Sequence, residues 1–112
     1  MDVFCQIAAA QIPSDILYSD EEVMAFRDIN PQAPVHILIM PRRHIATLAD
    51  LKDEDAPLVA RMVLVANEMA RREGILEKGY RIVVNSGREG GQLVPHLHMH
   101  LLGGRRLAGG LG

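Results

Sequence analysis

The sequence predicts an α+β fold built on a mainly antiparallel sheet, and three observations carry that reading. Apolar patterning places the elements in the order helix, strand, strand, strand, helix, strand, strand. Only one segment is long enough for a full helix, so repeated parallel crossovers between the strands are excluded. The 112 residues, 48% apolar and 23% charged, suffice for a single domain spanning 1–112 around one core.

Val3, Phe4, Ile7 and Ala8 stand at helical spacing, which predicts a short helix within Asp2 to Ala10 that Ile12-Pro13-Ser14-Asp15 terminates. Ile16 to Tyr18 and Val23 to Phe26 are short β-type runs joined as a hairpin by Ser19-Asp20-Glu21-Glu22. Pro31 and Pro34 make Asn30 to Pro34 a loop, because proline lacks a ladder donor and breaks helix interiors. Val35 to Met40 is a strongly apolar strand carrying His36 and stopped by Pro41. Leu58, Met62, Val65, Ala66, Met69 and Ala70 then recur at three and four residues, the buried stripe of the long helix. Asp53, Glu54 and Asp55 precede it and Arg71 and Arg72 close it, as the helix dipole prefers; Pro57 suits the first turn and Gly74 the C-terminal cap. Tyr80 to Asn85 reads as a strand, Ser86 to Gln92 as a glycine-containing loop and Leu97 to Leu102 as the last strand.

Twelve Lys and Arg against 14 Asp and Glu argue against a protein that coats nucleic acid, which needs a basic excess, but leave room for a locally positive pocket. With no Trp and 4% aromatics, the core must rest on aliphatic residues and methionine. The single Cys5 rules out an internal disulfide framework and favours the cytosol. No apolar run approaches the roughly 20 residues that span a bilayer, and Met1-Asp2 lacks the basic flank of a signal peptide. The expectation is a cytoplasmic domain without membrane attachment.

Three of the five histidines lie in His96-Leu97-His98-Met99-His100. On a strand this spacing puts the three imidazoles on one face, about 6.6 Å apart along the chain, and Leu97, Met99 and Leu101 on the other. The apolar face can pack on the long helix while the imidazoles line a cleft. Two chemistries suit such a row: a zinc site, or nucleophilic and acid–base work by an imidazole whose ordinary pKa of about 6.5 allows both protonation states. The preceding Asn85-Ser86-Gly87-Arg88-Glu89-Gly90-Gly91-Gln92 bears on the choice. Its glycines let backbone N–H groups approach an anion, and Asn85 and Gln92 add amide donors. Such donors suit phosphoryl oxygens and do little for a metal, which favours group transfer through a histidine.

Pro95-His96-Leu97-His98-Met99-His100-Leu101-Leu102 resembles the His-φ-His-φ-His-φ-φ signature, φ being apolar, of the histidine triad superfamily. The context resembles its histidine triad nucleotide-binding branch, through Ala25 to Pro34 with His36, Pro41-Arg42-Arg43-His44-Ile45, Lys78 to Asn85 and Gly103-Gly104-Arg105. The match runs from about Val3 to Arg105, leaving a tail over 106–112. The resemblance implies a five-stranded, mainly antiparallel sheet with one long and one short helix, paired into a homodimer with a ten-stranded sheet. It implies hydrolysis of purine nucleoside phosphoramidates to a nucleoside monophosphate and an amine, without metal or other cofactor. In that mechanism His98 is the nucleophile on the α-phosphorus, and His36, His96 and His100 orient it, bind phosphate or manage protons. Asn85, Gly91 and Gln92 match the phosphate site, Asp28 the ribose site, and Phe4, Ile7, Phe26, Ile29 and Leu38 the base cleft.

Plainer roles stand beside these: Asp28 suits the start of a turn before Pro31, Phe4, Ile7 and Leu38 suit a core, and His44 suits a cap or the surface. Leu93 stands where many relatives carry a polar residue, Pro95 replaces an aromatic of some members, and the tail lacks aromatics. Some bacterial relatives bind a structural zinc through two N-terminal cysteines and two histidines. Here Asp2 falls where the first cysteine would be, so no zinc is expected. The competing functions are a nucleotide-binding regulatory module with vestigial catalysis and a dinucleoside polyphosphate hydrolase, the latter disfavoured by His100-Leu101-Leu102-Gly103-Gly104-Arg105.

Overall fold

The computed structural model describes residues 2–110 and contains one five-stranded sheet. Its strands are β1 (Ile16–Ser19), β2 (Val23–Arg27), β3 (Val35–Pro41), β4 (Arg81–Val83) and β5 (Met99–Gly103). They lie in the order β1-β2-β3-β5-β4, each neighbour antiparallel to the next. Helix α1 (Val3–Ala8) precedes the sheet and α2 (Ala56–Arg72) crosses between β3 and β4. The α+β architecture and both helices stand as expected. The expected tail over 106–112 includes residues 111 and 112, which lie outside the described residues.

Alternation along the strands divides the apolar residues between two layers. The stripe Leu58, Met62, Val65, Ala66, Met69 and Ala70 of α2 packs with Val23, Ala25, Ile37, Ile39, Leu97, Met99 and Leu101 on one side of the sheet. Met24, Phe26, Leu38 and Met40 point the other way and are covered by Phe4 and Ile7 of α1. Because both faces are covered, β2 is buried apart from a half-buried Arg27 and β3 is buried throughout. The hairpin between β1 and β2 is held by Asp20, whose Oδ1 accepts from the Glu22 and Val23 amides at 2.7 Å each. Gly74, at φ +73°, turns the chain out of α2 while Ile75 N–H donates to Ala70 O at 3.0 Å.

Strands β1, β2 and β3 each run one residue past the expected end, to Ser19, Arg27 and Pro41, so Pro41 closes its strand from within, and the last two strands differ further. The fourth strand is Arg81–Val83 rather than Tyr80 to Asn85, and the fifth is Met99–Gly103 rather than Leu97 to Leu102. Pro95 has no donor, His96 N–H turns back to Val94 O at 2.8 Å, and Leu97 N–H reaches Ile45 O at 2.6 Å. The segment carrying His96 and His98 therefore bonds to the loop after β3 before it joins the ladder. Side-chain alternation survives this detour, since Leu97, Met99 and Leu101 all enter the core against α2.

Among the described residues, no helix is long and apolar enough to cross a membrane. Leu101 is fully buried between sheet and helix on the strand that presents His100. Leu101→Ala should cost about 2–5 kcal/mol of unfolding free energy. Urea titration checks this, and a loss well under 1 kcal/mol would contradict the packing described.

Candidate active site

Strands β3 and β5 bring His36 and His100 together on the face covered by α1. In their antiparallel register Leu38 lies opposite His100, and His36 opposite Leu102. The rings of His36 and His100 are 5.2 Å apart, and those of His98 and His100 are 4.9 Å apart. Phe4 of α1 meets His98 edge-on at 4.8 Å and His96 at 6.0 Å. All three imidazoles of the row therefore lie on the α1 side of the sheet.

A cavity of about 280 Å³ opens over this face, lined by Phe4, Asp28, Leu38, Asn85, Gly91, Gln92, Leu93, Val94, His98 and His100. Other expected site residues lie outside that lining. Phe26 and Ile7 are buried in the apolar cluster that also holds Phe4 and Leu38. Ile29 is 97% exposed on the loop after β2. His36 stands behind His100, and His96 is completely buried toward α1. Leu93, noted from the sequence as a departure, is 92% exposed and still borders the cavity. Val94 also lines it, although its apolar side chain in a loop gave no sequence signal.

Hydrogen bonds assign the ring protons. His98 Nδ1 is 2.6 Å from His96 O, and a carbonyl can only accept, so the proton sits on Nδ1. The Nε2 of a neutral His98 then carries a free lone pair. Gln32 N–H donates to His36 Nδ1 at 3.0 Å, which leaves the His36 proton on Nε2. That Nε2–H donates to His100 Nδ1 at 2.9 Å, so His100 keeps its own proton on Nε2. His96 Nε2–H donates to Pro41 O at 2.8 Å, leaving its Nδ1 bare. The Gln32 amide was not legible as part of the site, because a backbone donor leaves no mark on residue type.

Burial favours the neutral form of His36, His98 and His100. It pushes the pKa of His36 below the ordinary histidine value against the opposing pull of Asp28. It lowers His98 too, partly opposed by the bond to His96 O. His100 falls to about 4 through burial and then through its neighbours His98 and His36. A neutral His98 is the nucleophilic form, and a neutral His100 is a hydrogen-bond donor.

The glycine loop is braced by its own amides. Gln92 Oε1 accepts from Gly87 N–H at 2.8 Å, and Gln92 Nε2 donates to Ala46 O at 2.7 Å and Val94 O at 2.9 Å. Its side chain thus holds the loop to the segment after β3, and the Gly91 and Gln92 N–H groups close turns on Arg88 O and Gly87 O. Asn85 donates one amide hydrogen to Gly90 O at 2.7 Å and retains the other on a side chain lining the cavity. Asp28 combines its two expected positions: Oδ1 accepts from Asn30 N–H at 2.8 Å as a turn starter, and Oδ2 lies 3.4 Å from His36 Nε2 beside the cavity.

Among the described residues, two groups of side chains are close enough to share a cation: Asp28, His36 and His100, and Asp2, Cys5, His44 and His96. In the first the proton between His36 Nε2 and His100 Nδ1 already satisfies the facing nitrogens.

Comparison with known proteins places this geometry. A family model described as the HIT domain matches residues 9–107. The purine nucleoside phosphoramidase of Escherichia coli K12 is 53% identical over 105 residues, covering 94% of this chain and 88% of that one. The crystal structure of a HIT family hydrolase from Legionella pneumophila superposes with a TM-score of 0.94 at 48% identity, covering 96% of each chain. A HIT family hydrolase from Clostridium thermocellum gives 0.95 at 45% identity, covering 98% of this chain and 96% of that one.

The buried neutral rings make stability depend on pH. His36 and His100 have folded pKa values below the unfolded value, so between about pH 4 and 6.5 the unfolded chain binds more protons. Their contribution is fully present above that range and is lost as the pH falls through it. Urea midpoints should decline from pH 6.5 toward 4, and His100→Asn should flatten part of that slope. An unchanged slope in the variant would contradict a neutral, buried His100.

Proposed function

We propose that this chain, which belongs to the HIT domain family, is a purine nucleoside phosphoramidase working through a covalent nucleotidyl-histidine intermediate. The observation that carries the reading is the His98 ring: its Nδ1–H is tied to His96 O, and its Nε2 lone pair is left free on a side chain lining the cavity. The phosphoramidase name of the 53% identical relative supports the same reaction class.

In this reading His98 Nε2 bonds to the α-phosphorus as the phosphorus–nitrogen bond to the amine breaks, and the departing amine takes up a proton from solvent. Water then attacks the nucleotidyl-imidazole, its oxygen bonding to phosphorus as the Nε2–phosphorus bond breaks and its proton passing to solvent, which releases a nucleoside monophosphate and restores His98. Protonating the leaving nitrogen contributes roughly 10²–10⁴-fold in reactions of this kind. Among the described residues, none that lines the cavity is Lys or Arg, and in this reading neutral donors meet the phosphoryl oxygens. His100 Nε2–H and the remaining Asn85 amide hydrogen are suited to that, and His36 fixes the His100 proton. Gly91 shapes the loop at φ +80° and Gln92 holds it in place. Asp28 suits a ribose diol, while Phe4 and Leu38 offer an apolar wall to a base above the buried Phe26 and Ile7. His96 orients rather than reacts, because both its ring position and its carbonyl are engaged in the fold.

A homodimer belongs to the same proposal. Strand β4 lies at the sheet edge, where a second copy could extend the sheet. Leu64 on α2 is 59% exposed nearby in sequence to the apolar stripe, which suits a covered face. The free thiol of Cys5 suits a reducing cytosol.

His98→Ala should lower kcat on adenosine 5′-phosphoramidate by about 10³-fold or more while retaining affinity for adenosine monophosphate. Hydrolysis at the wild-type rate would end the proposal, and a wild-type preference for diadenosine polyphosphates over phosphoramidates would reassign the substrate class. Sedimentation should give twice the monomer mass; a monomer at micromolar concentration would remove the dimer.

A further inference from the structure

Among the described residues ten line the cavity over the histidine row, and they sort by depth. Phe4, Leu38 and His98 are buried and form its base. Gly91 and Leu93 alone are exposed and form its rim, with Leu93 92% exposed, and the other five lie between. Glycine has no side chain, so Leu93 is the one exposed side chain of the lining. Its apolar surface stays open to whatever occupies the mouth.

The direction of the reaction says what passes that mouth. Phosphoryl transfer puts the attacking and leaving atoms roughly in line through phosphorus. In the proposed function the attacker is His98 Nε2, at the base. The amine departs on the opposite side of the phosphorus, outward past the rim, as its bond to phosphorus breaks and it takes a proton from solvent. The polar groups between base and rim are engaged elsewhere. Gln92 commits its oxygen and both amide hydrogens to Gly87, Ala46 and Val94. In that reading Asn85 and His100 meet the phosphoryl oxygens and Asp28 meets the ribose. Leu93 has neither donor nor acceptor on its side chain. With His98 and His100 neutral, the one formal charge in the lining is the negative charge of Asp28.

We propose that Leu93 selects the leaving group, and that the preferred substrates are phosphoramidates whose amine carries an uncharged, apolar carbon chain. The inference rests on the phosphoramidase reading and names the substrate class within it. An apolar chain gains contact with Leu93 as water leaves both surfaces. A neutral polar chain loses water there without a hydrogen bond in return. An amine that carries a carboxylate loses more: none of the ten lining residues is a cation that could pair with it, and Asp28 repels it.

Three adenosine 5′-phosphoramidates with the same heavy-atom skeleton test this: those of 3-methylbutylamine, β-alaninamide and β-alanine, which end in two methyls, an amide and a carboxylate. In the wild type kcat/KM should fall in that order, by about tenfold or more from first to last. Leu93→Ser should shrink the preference for 3-methylbutylamine over β-alaninamide by about fivefold, and Leu93→Met should keep it. Differences in amine basicity cancel when one pair of substrates is compared between wild type and variant. Because Leu93 stands in solvent, exchanging it leaves the core intact. An unchanged preference in Leu93→Ser, or a wild-type preference for the β-alanine substrate, would overturn the inference. Unsubstituted adenosine 5′-phosphoramidate, whose leaving group is ammonia, separates the two proposals. Its turnover through His98 without selection among the three amines would sink the role of Leu93 alone, whereas failure to hydrolyse any of the four would overturn both.

Discussion

The hydrogen bond from His98 Nδ1–H to the carbonyl of His96, 2.6 Å long, is the constraint on which the site depends. Histidine has two ring nitrogens and, when neutral, one proton, so fixing the proton on one frees the other. The acceptor here is a backbone oxygen only two residues away, available because this stretch has not yet entered the sheet ladder. Pro95 begins that departure by offering no donor, and the Leu97 amide completes it by bonding to Ile45 O. An irregular segment thus does what a regular strand could not: it turns a carbonyl toward a side chain of its own face.

Around that bond the protein builds a low-polarity, charge-poor enclosure. Phe4 closes one side edge-on, Leu38 forms the floor and the Gln92 amide ties the glycine loop to Ala46 and Val94. Burial keeps His36, His98 and His100 neutral at ordinary pH. In the proposed reaction a phosphoryl group would meet oriented donors whose arrangement is set by the fold, so little reorganisation would be needed when charge develops. The Gln32 amide starts the relay by choosing the His36 tautomer, and His36 passes that choice to His100. A loop with two prolines therefore decides which nitrogen of a distant ring carries a proton.

Periodicity made the fold legible because packing follows it closely. The α2 stripe, the two-sided burial of β3 and the placement of Leu97, Met99 and Leu101 on the helix side all follow from residue spacing. The three imidazoles share a face for the same reason. Strand limits were less legible, since Tyr80 and Asn85 have strand-compatible neighbours but no ladder partners, and His96 and His98 bond elsewhere. Gln92 reads as a phosphate donor by type, yet its oxygen and both amide hydrogens brace the loop. His44 reads as a surface group after two arginines, and only the fold brings it 2.9 Å from Asp2. Such roles depend on which backbone atoms lie nearby, and residue identity does not encode that.

The most direct measurement of the account is the protonation of the His98 ring itself. Long-range proton–nitrogen correlation spectra of the ¹⁵N-histidine-labelled chain, assigned through His98→Gln, report the state of each ring nitrogen. At neutral pH the account predicts a protonated Nδ1 and a bare Nε2 for His98. A proton on Nε2, or a doubly protonated ring, would leave no lone pair to attack phosphorus and would contradict it.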